Sequence, residues 1–144
     1  MIRVLLADDH EFVRGTLVEL FATSGDITVV AECSNGDEVL AAAEESHPDV
    51  VIVDLAMPGR TGLQAARELL AVQPRTRIIL LTGNLSAAAV TEAHEIGLPG
   101  CLLKGEDTDA LVQQVRAVAA GGTAWSAAAL GGLTRPDETP SYRG

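Results

Sequence analysis

The sequence predicts a doubly wound α/β fold, with a five-stranded parallel sheet in the order 2-1-3-4-5 and five helices that cover both of its faces. Three observations lead to this fold class. Apolar runs of strand length alternate five times with segments of helical periodicity. Single helices between strands require right-handed crossovers, which make the strands parallel. The core must be built from Leu, Val, Ile and Ala, because aromatic residues are only 3% of the chain, and this composition suits a sheet buried between helices.

Each strand and helix is predicted from its own segment. The predicted strands are 2–7, 27–33, 50–54, 77–82 and 101–104. The first predicted helix has apolar residues at helical spacing, namely Val13, Leu17, Leu20 and Phe21. The other predicted helices are 36–46, 61–73, 86–96 and 107–120.

Local signals mark the boundaries between these elements. The chain is interrupted at Asn35-Gly36, Pro58-Gly59 and Gly97, and Ser86 and Asp107 stand where helix N-caps are expected. Periodicity ends after Gly121-Gly122. We therefore expect one domain at 1–121, followed by a linker or tail at 122–144 that has one short helical turn at 126–130. Trp125 is expected to cover apolar surface near the last helix.

Composition excludes several classes of function. A formal net charge of −10 with no Lys/Arg cluster would repel a phosphate backbone, so we expect no direct nucleic-acid binding by this segment. Cys33 and Cys101 form no CxxC motif, and two free thiols fit a reducing compartment. The apolar run at the N-terminus is too short for a signal peptide or a membrane span. A soluble, cytoplasmic protein without a membrane contact is expected.

Carboxylates follow two strands that should be neighbours. Asp8 and Asp9 come directly after the first strand, and Asp54 ends the third. In the order 2-1-3-4-5 these strands flank the switch point, where sites form at the carboxyl ends of the strands. Crowded carboxylates need a cation, and oxygen ligands beside only one histidine, His10, favour Mg²⁺ (or Mn²⁺) over zinc. The alternative is that Asp8 and Asp9 cap the first helix and Asp54 caps a turn.

Two further polar residues end the fourth and fifth strands. Burying the charge of Lys104 at the end of an apolar strand costs free energy unless the charge is paired, and the acidic residues would supply its partner. The Thr82 hydroxyl and the Lys104 ammonium can both bind phosphoryl oxygens. A carboxylate nucleophile, a divalent metal, a hydroxyl and a lysine together indicate phosphoryl transfer to an aspartate.

These motifs resemble those of a known family. The motifs are Asp8-Asp9, Asp54 with Met57-Pro58-Gly59 and Gly62, Thr82-Gly83, and Lys104. In this order and on these strand ends they are similar to the CheY-like receiver domain of two-component response regulators, which has a flavodoxin-like fold. The segments LLADDHEFVR and DLAMPGRTGLQAAREL resemble the NarL/FixJ-type subfamily. Its members usually continue into a helix-turn-helix DNA-binding domain, and we expect no such domain within 122–144.

The resemblance implies a magnesium-dependent phosphorylation site. Asp54 would accept a phosphoryl group from a phosphohistidine of a sensor histidine kinase. Asp9, Asp54 and the backbone carbonyl of Ala56 would bind Mg²⁺ directly, and Asp8 would act largely through water. Lys104 would pair with Asp54 and then with the phosphoryl group.

The resemblance also implies an output. Thr82 would move toward a phosphoryl oxygen, and this motion would change the surface of the fourth helix and fifth strand. The expected consequences are homodimerisation on phosphorylation and transcriptional regulation through an effector domain. The protein would be a signalling phospho-acceptor and not an enzyme in its own right.

Two positions depart from the family pattern. Receivers commonly carry Tyr or Phe three residues before the lysine, where this chain has Cys101, and many have Pro after it, where this chain has Gly105. A degenerate receiver that binds partners without phosphorylation is therefore one alternative. An aspartyl-phosphate phosphatase is another, but such enzymes usually place a second Asp where this chain has Ala56. His10 is expected at the rim of the site, in the first turn of the first helix.

Overall fold

A parallel sheet with helices on both faces forms the protein. Its strands are β1 (Ile2–Ala7), β2 (Ile27–Cys33), β3 (Val50–Asp54), β4 (Arg77–Thr82), β5 (Gly100–Leu103) and β6 (Ala124–Trp125). The computed structural model describes residues 1–84, 86–105 and 108–125. Within these residues the strand order is β2-β1-β3-β4-β5-β6, and every pair is parallel. The predicted fold class and the order of its first five strands are confirmed.

Five α-helices follow the first five strands. They are α1 (Glu11–Ser24), α2 (Val39–Ser46), α3 (Gly62–Val72), α4 (Ala87–Glu95) and α5 (Thr108–Ala119). The predicted helix at 36–46 begins instead as a 3-10 turn, Gly36–Glu38. The N-cap predicted at Asp107 and the helical turn predicted at 126–130 lie outside the described residues. No helix in the described part of the chain is long and apolar enough to cross a membrane.

The prediction of five strands is wrong by one short strand. Ala124 and Trp125, which we assigned to a linker or tail, pair with β5 in the register Gly100↔Ala124 and Cys101↔Trp125. The Ala124 backbone N–H also donates to the carbonyl of Pro99 over 2.8 Å. A two-residue strand has no periodicity to detect. It forms because the edge of β5 offers unpaired backbone groups.

The sheet separates two apolar layers because successive strand residues face opposite sides. Val51 and Val53 belong to the layer under α2, α3 and α4. Val50 and Ile52 belong to the layer under α1 and α5. All four side chains are buried, so β3 is fixed on both faces and holds its last residue, Asp54, at a rigid strand end.

The start of α3 is packed directly against the end of β3. Thr61 caps the helix by accepting a hydrogen bond from the Gln64 backbone, and the Gln64 side chain accepts one from the Thr61 backbone. A Cβ added to Gly62 would lie 2.4 Å from the carbonyl oxygen of Asp54. Only glycine therefore allows this close approach between the helix and the strand end.

Candidate functional site

Three carboxylates meet at the carboxyl end of β1 and β3. Asp8 follows β1, Asp54 ends β3, and the two strands pair through Ala7↔Val53. Asp8 is 1% exposed and Asp54 is 3% exposed, whereas Asp9 faces solvent more openly. One oxygen of each carboxylate and a ring nitrogen of His10 all lie within 4.8 Å of one another. We call these four residues the acidic cluster.

Lys104 links the two buried members of the acidic cluster. Its Nζ lies 2.8 Å from Oδ2 of Asp54 and 2.8 Å from Oδ2 of Asp8. Burial by itself would lower the pKa of Lys104, but the hydrogen bond to Asp54 and the close negative charges of Asp54 and Asp8 outweigh burial and raise it. The lysine therefore keeps its charge and offsets the repulsion between two carboxylates that are shielded from water.

Asp54 is held in a poorly solvated setting. Burial raises the pKa of its carboxyl, Lys104 acts against this increase, and the charge of Asp8 adds to it. The backbone N–H of Ala56 donates to Oδ1 of Asp54 over 3.3 Å. This contact is what a turn-capping aspartate would make, but capping does not account for the bond from Lys104 to the other oxygen. The negative charge of Asp54 thus depends on neighbouring cations.

His10 reaches further into the site than the sequence indicated. It is the N-cap of α1, and its side chain makes no capping hydrogen bond. Its backbone N–H donates to Oδ1 of Asp8 over 2.8 Å. Its ring Nδ1 lies 3.2 Å from Oδ1 of both Asp8 and Asp9. His10 therefore lies at the rim, as expected, but its ring is part of the acidic cluster. Its position next to Asp9 in the sequence was the only signal for this.

Thr82 lies at the neighbouring strand end, but its hydroxyl has a local partner. The side chain is buried at the end of β4. Its Oγ1 accepts a hydrogen bond from the Asn84 backbone N–H over 3.2 Å and lies 3.3 Å from the Asn84 carbonyl. A Cβ added to Gly83 would meet only Cδ of Lys104, at 4.0 Å. The space beside Thr82 and Lys104 is therefore open.

The donor set of the acidic cluster fits a hard divalent cation. Asp8, Asp9 and Asp54 each offer a carboxylate oxygen, and such oxygens are what Mg²⁺ and Mn²⁺ prefer. Ala56, whose carbonyl was predicted as a further ligand, lies two residues after Asp54 in the same loop, and its residue is exposed. A buried carboxylate, a lysine and a set of oxygens that fits a cation therefore lie together at one edge of the sheet.

The family model of the response regulator receiver domain matches residues 4–116, a range that contains the acidic cluster, Thr82 and Lys104. The chain belongs to this family. The resemblance to response regulators is therefore confirmed.

Curated relatives of this receiver are response regulators and transcriptional regulators. It is 36% identical over 121 residues to the response regulator GacA of Pseudomonas aeruginosa, and the matched region covers 84% of this chain and 56% of the relative. It is 33% identical over 122 residues to the transcriptional regulatory protein LnrK of Bacillus subtilis, and the matched region covers 85% of this chain and 56% of the relative. The chain thus spans about half the length of the curated relatives it matches.

Solved structures give the same subfamily. A two-component response regulator of the LuxR family from Aurantimonas sp. SI85-9A1 superposes with a TM-score of 0.88 at 31% identity, over 95% of this chain and 98% of the other. The signal receiver domain of NarL from Mycobacterium tuberculosis superposes with a TM-score of 0.79 at 32% identity, over 83% of this chain and 97% of the other. The NarL-type character predicted from the sequence is confirmed.

This receiver also has an aromatic ring beside the position where one was expected. Cys101 is fully buried, and burial raises the pKa of its thiol to about 11. Trp125 is its partner in β6 and packs against the same apolar layer. The Trp125 ring lies edge-on to His94 of α4, with the ring centroids 6.0 Å apart. Gly105 adopts φ 88°, which proline cannot, so at this second departure from the family pattern the backbone differs from that of a receiver with proline there.

Proposed function

We propose that this receiver accepts a phosphoryl group on Asp54 from a phosphohistidine of a sensor histidine kinase, in a reaction that needs a divalent cation. The observation that carries the proposal is the bridge from Lys104 Nζ to Asp8 and Asp54, 2.8 Å to each. A lysine held in this place pairs with the nucleophile before transfer and is within reach of a phosphoryl oxygen after it.

The reaction would exchange one phosphorus bond for another. An Asp54 carboxylate oxygen forms the new bond to phosphorus, and the phosphorus–nitrogen bond of the phosphohistidine breaks. The histidine nitrogen keeps the electron pair and takes up a proton. Asp8, Asp9, Asp54 and the Ala56 carbonyl are the residues that would hold Mg²⁺ or Mn²⁺. When it is bound, the cation supplies positive charge to the transferring phosphoryl oxygens.

The chain's own residues would orient the reaction and start the response. Asp54 ends β3, which is buried between β1 and β4, so packing on both faces of this strand would hold the carboxylate in one orientation for the transfer. Thr82 would exchange its local bond with Asn84 for a phosphoryl oxygen. Such an exchange would move the loop after β4, next to α4, and would relay the state of Asp54 to that surface.

The output is proposed from the relatives. Because relatives such as LnrK are transcriptional regulators about one and a half times the length of this chain, we propose that the receiver controls transcription through an effector domain and forms a homodimer on phosphorylation. It would act in the cytoplasm, and its catalysis would be limited to its own phosphorylation and dephosphorylation.

The test is phosphorylation by acetyl phosphate and by a phosphorylated histidine kinase, followed by intact-mass measurement. Asp54→Asn should abolish labelling, and a metal chelator should abolish labelling of the unaltered chain. Glu45→Gln, which removes an exposed charge of α2, should leave labelling unchanged. Labelling that persists in Asp54→Asn would contradict the assignment, and no labelling of any variant would favour a phosphorylation-independent interaction module.

A further inference from the structure

His10 points a nitrogen at all three carboxylates of the acidic cluster. Its Nδ1 is 3.2 Å from Oδ1 of Asp8, 3.2 Å from Oδ1 of Asp9 and 3.9 Å from Oδ2 of Asp54. The ring makes no hydrogen bond that caps the helix it precedes, and its hydrogen bond is with Asp8 of the acidic cluster. Its role must therefore be sought in the cluster.

Lys104 and His10 take different sides of the same carboxylates. Lys104 contacts Oδ2 of Asp8 and is mostly buried, whereas His10 contacts Oδ1 of Asp8 and its side chain is 63% exposed. The inner side of the cluster is thus occupied by the ammonium group. The outer side, which an ion from solvent would enter, is lined by carboxylate oxygens and the imidazole nitrogen.

The distances between these atoms are close to the distances between ligands of one octahedrally coordinated ion. At metal–ligand distances of about 2.1 Å, neighbouring ligands of an octahedron are about 3.0 Å apart and opposite ligands about 4.2 Å apart. The distances of 3.2 Å from His10 Nδ1 to Asp8 and Asp9 correspond to neighbours. The distance of 3.9 Å to Asp54 is closer to that of opposite ligands. The four ligand atoms lie within 4.8 Å of one another, so one ion could contact all four side chains if the outermost atoms moved together by about 0.6 Å or less.

We propose that His10 is a ligand of the cation through Nδ1, and that it shifts the preference of the site from Mg²⁺ toward first-row transition-metal dications. The inference rests on the metal site proposed above and adds its specificity. Magnesium prefers oxygen ligands, whereas an imidazole nitrogen increases affinity for cobalt, nickel and iron in the +2 state. A receiver with this ligand set would respond to which divalent metal is available.

The experiment measures metal binding and does not depend on phosphorylation. The 144-residue chain is titrated at fixed pH with Co²⁺, followed by its visible absorption, and with Mg²⁺, followed by calorimetry. His10→Ala removes the ligand. His10→Asn replaces the nitrogen by an amide oxygen and is a favourable N-cap, so the helix start is preserved. His47→Asn is the matched control, because His47 is exposed at the end of α2 in the left-handed region that Asn tolerates.

We expect His10→Ala to weaken Co²⁺ binding by about tenfold or more, in line with the loss of a metal-site partner, with a much smaller change for Mg²⁺. His10→Asn should likewise lose Co²⁺ affinity and keep or improve Mg²⁺ affinity, and His47→Asn should match the unaltered chain. Bound Co²⁺ should give the ring protons of His10 the large contact shifts of a ligating imidazole, far larger than the through-space shifts of the His47 and His94 ring protons. If His10→Ala changes the affinities for Co²⁺ and Mg²⁺ by the same factor, the inference about His10 is overturned and the proposed cation site stands. If neither metal binds the unaltered chain, the proposed cation site is overturned, and this inference with it.

Discussion

Lys104 Nζ lies 2.8 Å from Oδ2 of Asp54, across 50 residues of sequence, and joins the ends of β5 and β3 at one point. The strands themselves are not neighbours, since β4 lies between them. The contact therefore depends on the length of the lysine side chain, which crosses the end of β4. The positive charge of Lys104 in this ion pair offsets the negative charge of a buried carboxylate.

Replacing Lys104 by Met should destabilise the protein. The substitution leaves Asp8 and Asp54 buried and facing each other without a cation, so we expect the free energy of unfolding to fall by about 1–3 kcal/mol at neutral pH in the presence of a chelator. Denaturant unfolding monitored by circular dichroism measures it. The same substitution in an Asp54→Asn background should cost less, because one of the two charges is already absent. Strictly additive effects would show that the pair is not coupled.

The two thiols should be unreactive in the native protein. Burial raises the pKa of Cys33 to about 11, to which the charge of Glu38 adds, and burial alone raises that of Cys101 to about 11. At pH 8 the thiolate fraction then falls about a hundredfold relative to an ordinary cysteine, and labelling by a disulfide reagent should slow at least as much. Rapid labelling without denaturant would contradict both the burial and the raised pKa.

The same pKa shifts predict weaker stability in alkali. Between pH 9 and pH 11 the unfolded chain loses thiol protons that the folded chain keeps, so stability is full below pH 9 and decreases as pH rises. Each thiol contributes up to about 1.4 kcal/mol per pH unit to this decrease. Unfolding curves at several pH values measure the slope, and Cys101→Ala should reduce it. An equal slope in that variant would show that Cys101 has no part in the effect.

Two glycine-to-alanine substitutions in helices should have opposite effects. Gly62→Ala would place Cβ 2.4 Å from the Asp54 carbonyl oxygen, so the start of α3 and the end of β3 must separate. We expect it to cost about 1–3 kcal/mol and to slow phosphorylation of Asp54. Gly15→Ala lies in α1 with no atom within 4 Å of the new Cβ, and it should stabilise the protein by about 1 kcal/mol. Thermal unfolding of the two variants compares them directly, and a shift in the same direction would contradict the packing at Gly62.

Much of the fold was determined by local sequence. The bounds of β1, β2, β3 and β4 agree with the predicted ranges, because each is an apolar run that ends at a polar residue or a turn. The cluster of Asp8, Asp9 and Asp54 followed from the topology, since parallel strands bring their carboxyl ends to one edge. The sequence also marked Lys104 as needing a buried acidic partner.

Other features were decided only by the tertiary structure. The pairing of Trp125 with Cys101 depends on a free edge of β5. The direction of the His10 ring depends on carboxylates supplied by two strands. The Thr82 hydroxyl bonds Asn84 and not the acidic cluster, which no pattern of residue types indicates. Periodicity records which face of an element is buried, but the partner of a single polar or edge group depends on atoms that distant segments bring within hydrogen-bonding range.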